Sequence, residues 1–340
     1  VPARPWGFWT EQKLDVLSEY LSAFTVASSK KARGVTVYLD LFAGRAENEA
    51  RDTGKRIEGS PMRALRVEPP LSTLRFFELP ANAAKLSREL DAEFGHRDQR
   101  VVAGDCNQTI NDVLAELVRH DLNWAPTFAF IDQQGPDVLW ETLERLADHK
   151  KGRPYKVELW MFFGNGLLPR GLGIRSPDET FARRVDRMLG TTAWREAYNA
   201  RRSGDLSPED FRDELVNWAR WRLEQTLGYA YTHTFELRNV AGVPIYAMVF
   251  ATDNAAGNRI MGGLYGKAVR QHPLMRADAQ ARRRAKQEAE SGRLALFDMP
   301  AQVTEEELYE HTPPHLPYGL DRYDVQDPDD PTDAFPRPTR

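Results

Sequence analysis

A three-layer α/β fold is predicted, with a mostly parallel seven-stranded sheet ending in an antiparallel hairpin and a helical insertion. Three observations predict it. Short apolar runs recur along the chain, stop at a polar residue and are separated by helical patterns, the alternation of a parallel sheet covered on both faces. Late in the chain, residues 232–237 and 243–252 read as a hairpin around Asn239-Val240-Ala241-Gly242. With 340 residues, 41% hydrophobic and 28% charged, the chain is long enough to bury the core such a sheet needs.

The elements follow in order. Trp6, Phe8 and Trp9 precede Thr10, a candidate N-cap, and a helix over 10–24 with Leu14, Leu17, Tyr20, Leu21 and Phe24 on one face. The aromatic trio either fixes the helix's entry or offers a base-stacking platform. Residues 28–34 read as a basic loop that closes a lead-in over 1–34. The first strand is Val35-Thr-Val-Tyr-Leu-Asp40, apolar enough for a buried parallel position. Its loop continues Leu41-Phe42-Ala43-Gly44-Arg45-Ala46, and the charged stretch 47–58 reads as flexible. Gly59-Ser60-Pro61 is a helix start, with Ser60 able to cap and Pro61 at the first helical position. Its free N–H groups either cap structure or meet an anion.

Residues 74–77 form the second strand, ending in Glu78, and a helix follows to Gly95. Residues 101–103 form the third, ending in Gly104-Asp105-Cys106-Asn107, with a helix over 109–119. The fourth, 127–131, ends in Asp132-Gln133-Gln134-Gly135-Pro136; a helix over 138–147 leads to the fifth, 157–163. Residues 176–227 are a helical insertion in which Trp194, Tyr198, Phe211, Trp218 and Trp221 alternate with arginines. That pattern suits either a single-strand nucleic-acid groove or a small core with solvated arginines. After the hairpin come a turn at 254–257, a short helix over 258–269 and a basic helix over 276–292. The main domain is thus 35–269.

Residues 270–299 read as a basic helix and docking segment. Residues 300–340, with ten acids, three arginines and eight prolines, read as a disordered acidic tail. Between them, Arg293-Leu-Ala-Leu-Phe-Asp298 places large apolar side chains where no core is expected. It either docks into a partner's groove or tucks back onto the domain. It loosely resembles the Q-L-x-L-F peptides that bind bacterial sliding clamps, with Arg293 in place of the glutamine.

Composition narrows the function. The longest apolar runs are strand-sized, well short of the roughly 18 residues of a membrane span. The opening V-P-A-R-P-W-G-F-W has no apolar h-region, and Cys106 is the single cysteine; the expectation is a cytoplasmic chain with neither disulfides nor cysteine-held zinc. The net charge of −4 is uneven, with −7 in residues 300–340 and about +3 in the body before them, too weak a field to predict nucleic-acid binding by itself. G-x-x-x-x-G-K-[ST], H-E-x-x-H and G-x-S-x-G are all absent.

What remains is a constellation. Asp40, Glu78, Asp105 and Asp132 end four successive predicted strands, so a parallel sheet brings all four to one edge. Small Ala43 and Gly44 after Asp40 let backbone approach a ligand, and no phosphate cradle accompanies them. This predicts a nucleoside-like ligand without a pyrophosphate, S-adenosylmethionine first. Phe42, Ala43 and Gly44 would wall it, Asp40 would lie near its amino-acid end, and Glu78 would accept from both ribose hydroxyls. Asp105 would accept from the adenine amino group, with Cys106 beside the ring, and Asp132 would face the transferred methyl and the acceptor. Carboxylates holding Mg²⁺ or Mn²⁺ are the competing reading, which the histidine spacing does not support; no metal is expected.

Three segments carry a resemblance: Tyr38-Leu-Asp-Leu-Phe-Ala-Gly44, Glu58-Gly-Ser-Pro-Met-Arg-Ala-Leu65 and Phe128-Ala-Phe-Ile-Asp-Gln-Gln-Gly135. With Ile245 to Met261, they resemble the three-Cys-motif partner protein family over about residues 10–269. The resemblance implies a class I S-adenosylmethionine-dependent methyltransferase-like fold and a partnership with a radical-S-adenosylmethionine-type protein carrying three cysteines. Asp132, assisted by Gln133, would then orient the acceptor. The family's loop reads close to F-A-G-P-G and its fourth-strand motif D-P-[FY]-G; here Arg45-Ala46 and Gln133-Gln134 depart from them. A cation enters the loop, and the aromatic that would stack on an acceptor is replaced by amides. The alternative expectation is a non-catalytic subunit that keeps the fold to bind a protein, nucleotide or nucleic acid.

Overall fold

The computed structural model describes residues 6–51, 53–291 and 309–322. The sheet strands are β1 (Val37–Asp40), β2 (Thr73–Glu78), β3 (Asp98–Ala103), β4 (Thr127–Ile131), β5 (Glu158–Phe163), β6 (Tyr231–Arg238) and β7 (Pro244–Thr252). They lie in the order β3-β2-β1-β4-β5-β7-β6. β1 pairs parallel with both β2 and β4, Asp40 standing opposite Phe76 and Phe130. β7 runs antiparallel to both neighbours, which closes the sheet with the expected hairpin. The layout is Rossmann-like.

Period-two alternation splits the strands between two cores. Tyr38, Phe128, Phe130, Trp160 and Phe250 face one; Leu39, Ile131, Met161, Phe163 and Val249 face the other. The first is covered by α1 (Phe8–Ala32), α2 (Ser60–Leu65), α3 (Pro80–Phe94) and the start of α10 (Ala255–Ser291). The second is covered by α4 (Cys106–Arg119), α5 (Trp140–Asp148), α6 (Leu168–Leu172), α7 (Glu179–Leu189), α8 (Arg195–Ser203) and α9 (Pro208–Gln225). Each large side chain sealed between layers contributes roughly 1.5–3 kcal/mol relative to an exposed one. Among the described residues no helix is long and apolar enough to cross a membrane.

Several expectations are corrected. α1 starts at Phe8 after an extended Gly7 and runs to Ala32, so Thr10 is no cap and residues 28–32 are helix rather than loop. The charged stretch 47–58 holds an antiparallel ribbon, Glu47–Glu49 with Arg56–Glu58. Trp6 extends it, its N–H donating to Glu49 O at 2.8 Å. The two late helices are one, α10, which passes through Pro273. His272, in that turn, ties it to neighbouring elements, accepting from Arg238 N at 3.2 Å and bonding Gln12 at 2.6 Å.

In the insertion, Trp194, Phe211 and Trp218 are fully buried in the sheet's own core. They form no separate small core and cannot stack on bases without leaving it. Several of its arginines are held: Arg195 pairs Glu179 and Asp186, and the Arg222 guanidinium lies 4.1 Å from the Trp140 ring centre. Residues 309–322, expected to be disordered, form a strap on α9 and β6. Arg220 donates to Thr312 O at 2.5 Å, Asn217 to His315 O at 3.0 Å, and Leu320 is buried. Residues 293–298 lie outside the described residues.

Candidate functional site

The sheet order reverses at β1, so the loops after β1 and β4 bound a crevice. A cleft of about 460 Å³ opens there, walled by Phe42, Ala43, Gly44 and Asp132 from the sheet side. Backbone contacts shape its floor. Leu41 N donates to Phe130 O at 2.9 Å, and Ala43 N to Phe77 O at 3.0 Å. Gly44 takes φ +68°, costly for any side chain, and points its N–H at Glu78 Oε2, 2.8 Å away. A Cβ on Gly59 would fall 2.1 Å from Arg45 O, so the β1 loop and the start of α2 meet through backbone.

The four strand-tip acids share this edge, and each does something different. Asp40 is 0% exposed, sealed beneath the loop rather than on the cleft wall. It accepts from Tyr38 Oη at 3.2 Å and Phe42 N at 3.4 Å. Burial pushes it up to about 7, against the pull of hydrogen bonds from Ser60, Phe42 and Tyr38. Its expected contact with a cofactor is therefore corrected to support of the Phe42–Gly44 backbone. Ser60 is turned to the same acid, and α2 has only six residues, which removes the anion-site reading of its N-terminus.

Glu78 is half-buried. Its Oε1 accepts from Leu79 N at 3.0 Å and Asn82 Nδ2 at 3.2 Å, leaving one free lone pair, on Oε2. It can take one ligand hydroxyl without rearrangement, and a second only if the exposed Asn82 amide swings away. Asp105 is exposed and caps α4, accepting from Asn107 N at 2.9 Å. Cys106 is buried in the core, and its thiol is pushed up to about 12 by burial and then by Asp105. It is a packing residue rather than one beside a ligand ring.

Asp132 is 27% exposed and forms an ion pair with Lys13 of α1, which is only 5% exposed. The Lys13 ammonium lies 5.6 Å from the Tyr246 ring centre and 5.9 Å from that of Phe162, within cation–π range. Gln133 is buried, and its amide is fully engaged: Nε2 donates to Phe162 O at 3.1 Å, and Oε1 accepts from Asp137 N and Val138 N. The expectation that it contacts an acceptor is corrected; it holds the loop's shape. Gln134, exposed and on the cleft wall, is the amide available to a ligand.

Two residues escaped the sequence reading. Lys13 stands on the α1 stripe with Leu17, Tyr20 and Phe24, and a lysine in an apolar stripe was the signal. Asn107 stitches the β3 and β4 tips together, accepting from Leu139 N at 2.9 Å and Thr142 Oγ1 at 2.8 Å. Nothing in its spacing signalled that. At the mouth, Trp6 and Trp9 line the cleft, and the Arg51 guanidinium lies 5.6 Å from the Trp9 ring centre.

The carboxylates at the β2 and β3 tips suit ligand hydroxyls and amino groups, while the charged lining of the cleft itself is Lys13, Arg45 and Arg51 against Asp132. Acids at β2 and β3 face the edge, an aromatic wall stands at Phe42, and the β1 loop carries no lysine. Among the described residues no group of His, Cys, Asp and Glu could hold a metal ion. No family model matches the chain, and no curated protein does. Among solved structures, protein LPL1258 of Legionella pneumophila str. Philadelphia 1, of family model DUF519, is similar at 10% identity. The likeness covers 76% of this chain and 92% of that one with a TM-score of 0.42, and bears on neither the site nor the activity.

Proposed function

We propose that this chain is an S-adenosylmethionine-dependent methyltransferase working beside a radical-S-adenosylmethionine-type three-Cys-motif protein. The observation that supports the activity is the sheet's reversal point, where the cleft lined by Phe42, Ala43, Gly44 and Asp132 adjoins Glu78, bonded to Gly44 N, with Asp105 one strand further along the same edge. The partnership rests on the sequence resemblance alone. S-adenosylmethionine, when bound, supplies an electrophilic methyl on a sulfonium. Glu78 would accept from a ribose hydroxyl, Asp105 from an adenine amino group, and Phe42 would cover a ring face. Asp132 would accept a hydrogen bond from the acceptor and hold it in line, the protein's part being alignment. Lys13 neutralises Asp132, so that acid orients rather than abstracts, and the acceptor's proton leaves to water.

A second reading has its own support. Gln133 is consumed by the loop and Asp132 is engaged by Lys13, which suits a subunit that binds without catalysis. Transfer of labelled methyl from S-adenosylmethionine to material that co-purifies with the chain separates the two. Label on a captured acceptor, lost in Asp132→Ala, supports the enzyme. Ligand binding without any labelled product selects the binding subunit.

A further inference from the structure

A second cavity, of about 220 Å³, lies on the opposite edge of the sheet, at the N-terminal ends of β4 and β5. Phe24 of α1 and Ile260 of α10 form its sides, and Trp124 and Tyr155 are exposed at its mouth. Two buried ionisable groups of opposite sign line it, Lys150 and Glu158, 5% and 6% exposed.

Glu158 accepts from Tyr20 Oη and from Thr252 Oγ1, both at 2.6 Å and on different oxygens. Each oxygen keeps a lone pair. A Cβ on Gly257 would lie 2.5 Å from Glu158 Oε1, so the bare backbone of α10 preserves the space around the acid. Lys150 Nζ donates to Ala125 O at 2.8 Å; that is its one hydrogen bond among the described residues, and an ammonium has three N–H donors. Lys150 and Glu158 do not form an ion pair. Buried donors and acceptors left unfilled are costly, and here they line one aromatic-walled space.

A cation would meet Lys150 and an anion would meet Glu158, so the cavity suits a neutral ligand offering an acceptor and a donor together. Its volume is below the roughly 300–1,000 Å³ of pockets for drug-sized ligands. We propose that it binds a planar heteroaromatic molecule the size of a single purine base, with a ring carbonyl beside a ring N–H. Lys150 donates to the carbonyl, Glu158 accepts from the N–H, and Phe24, Trp124 and Tyr155 contact the ring.

The probe is hypoxanthine, which has that edge, with 1-methylhypoxanthine, which lacks the N–H, as its control. Calorimetry on the full chain should detect hypoxanthine binding, weakened at least tenfold by methylation of the probe and at least tenfold by Lys150→Met. Ala27→Trp, a change at an exposed residue of the cavity's mouth, should abolish binding whether or not Lys150→Met folds. No binding at several millimolar, equal binding of the two probes, or binding that survives Ala27→Trp would overturn the proposal. The last would place the base in the other cleft.

Discussion

The two edges of the sheet are built from the same parts and closed differently. Each has a buried carboxylate at a strand end, Asp40 at the tip of β1 and Glu158 at the start of β5, and each has a lysine only 5% exposed. At the cleft, Lys13 is matched by Asp132. At the opposite edge, among the described residues, Lys150 Nζ hydrogen-bonds only the Ala125 carbonyl. Burial opposes charge in all of these groups, and what differs is which charge finds a partner. The cleft edge is electrostatically complete around its lysine; the other edge is not.

The largest test of this contrast is pH. Asp40 is raised from 3.8 to about 7 in the folded chain, a shift worth roughly 4 kcal/mol. The folded state binds the extra proton between those values, so this group's contribution to stability falls as pH rises from about 4 to 7. Asp40→Asn should flatten that slope in urea titrations run across the range. At the other edge Lys150 is lowered from 10.5 to about 8, and there the unfolded state binds the extra proton. Stability from this group should rise as pH goes from about 8 to 10.5, by roughly 3 kcal/mol, and Lys150→Met should remove the rise.

Substitutions at neutral pH come next. Asp132→Ala strands the Lys13 ammonium over two rings and should cost about 3 kcal/mol in chemical denaturation. Lys150→Met removes a buried charge that burial disfavours, leaves the Ala125 carbonyl its bond from Thr127 Oγ1, and should raise stability at neutral pH by about 2 kcal/mol. Equal losses would erase the distinction between the edges. Smallest is the hydroxyl pair. Tyr20→Phe removes a 2.6 Å bond to buried Glu158 and should cost about 2 kcal/mol, against about 0.5 kcal/mol for Tyr38→Phe, whose bond to Asp40 is 3.2 Å. The reverse order would assign the stronger support to Asp40.

Strand positions were legible because buried parallel strands need continuous apolar sequence, and V-Y-L-D, T-F-A-F-I and E-L-W-M-F-F supply it. The convergence of Asp40, Glu78, Asp105 and Asp132 followed from topology alone. Their individual roles did not, because sequence carries no burial: Asp40 and Gln133 turned inward, while Glu78 and Gln134 remained accessible. Lys13 was hidden by distance, 119 residues from its partner. The 309–322 strap was hidden because its polar, Pro-rich composition is held by main-chain carbonyls meeting Arg220 and Asn217, contacts that composition cannot report. Continuity of α10 through Pro273 was hidden because a proline ordinarily ends a helix, whereas here its neighbour His272 bonds Gln12 of α1 across the packed layer at 2.6 Å.

The proposed methyltransferase activity requires S-adenosylmethionine along the strand-tip edge, reaching from the β1–β4 cleft out to Glu78 and Asp105, which lie outside the lining of that cleft. Calorimetry of the full chain with S-adenosylhomocysteine tests it most directly. Saturable binding, weakened at least tenfold by Glu78→Ala and again by Asp105→Ala, is the predicted result. No heat at millimolar ligand, or an affinity that both variants leave unchanged, would contradict it.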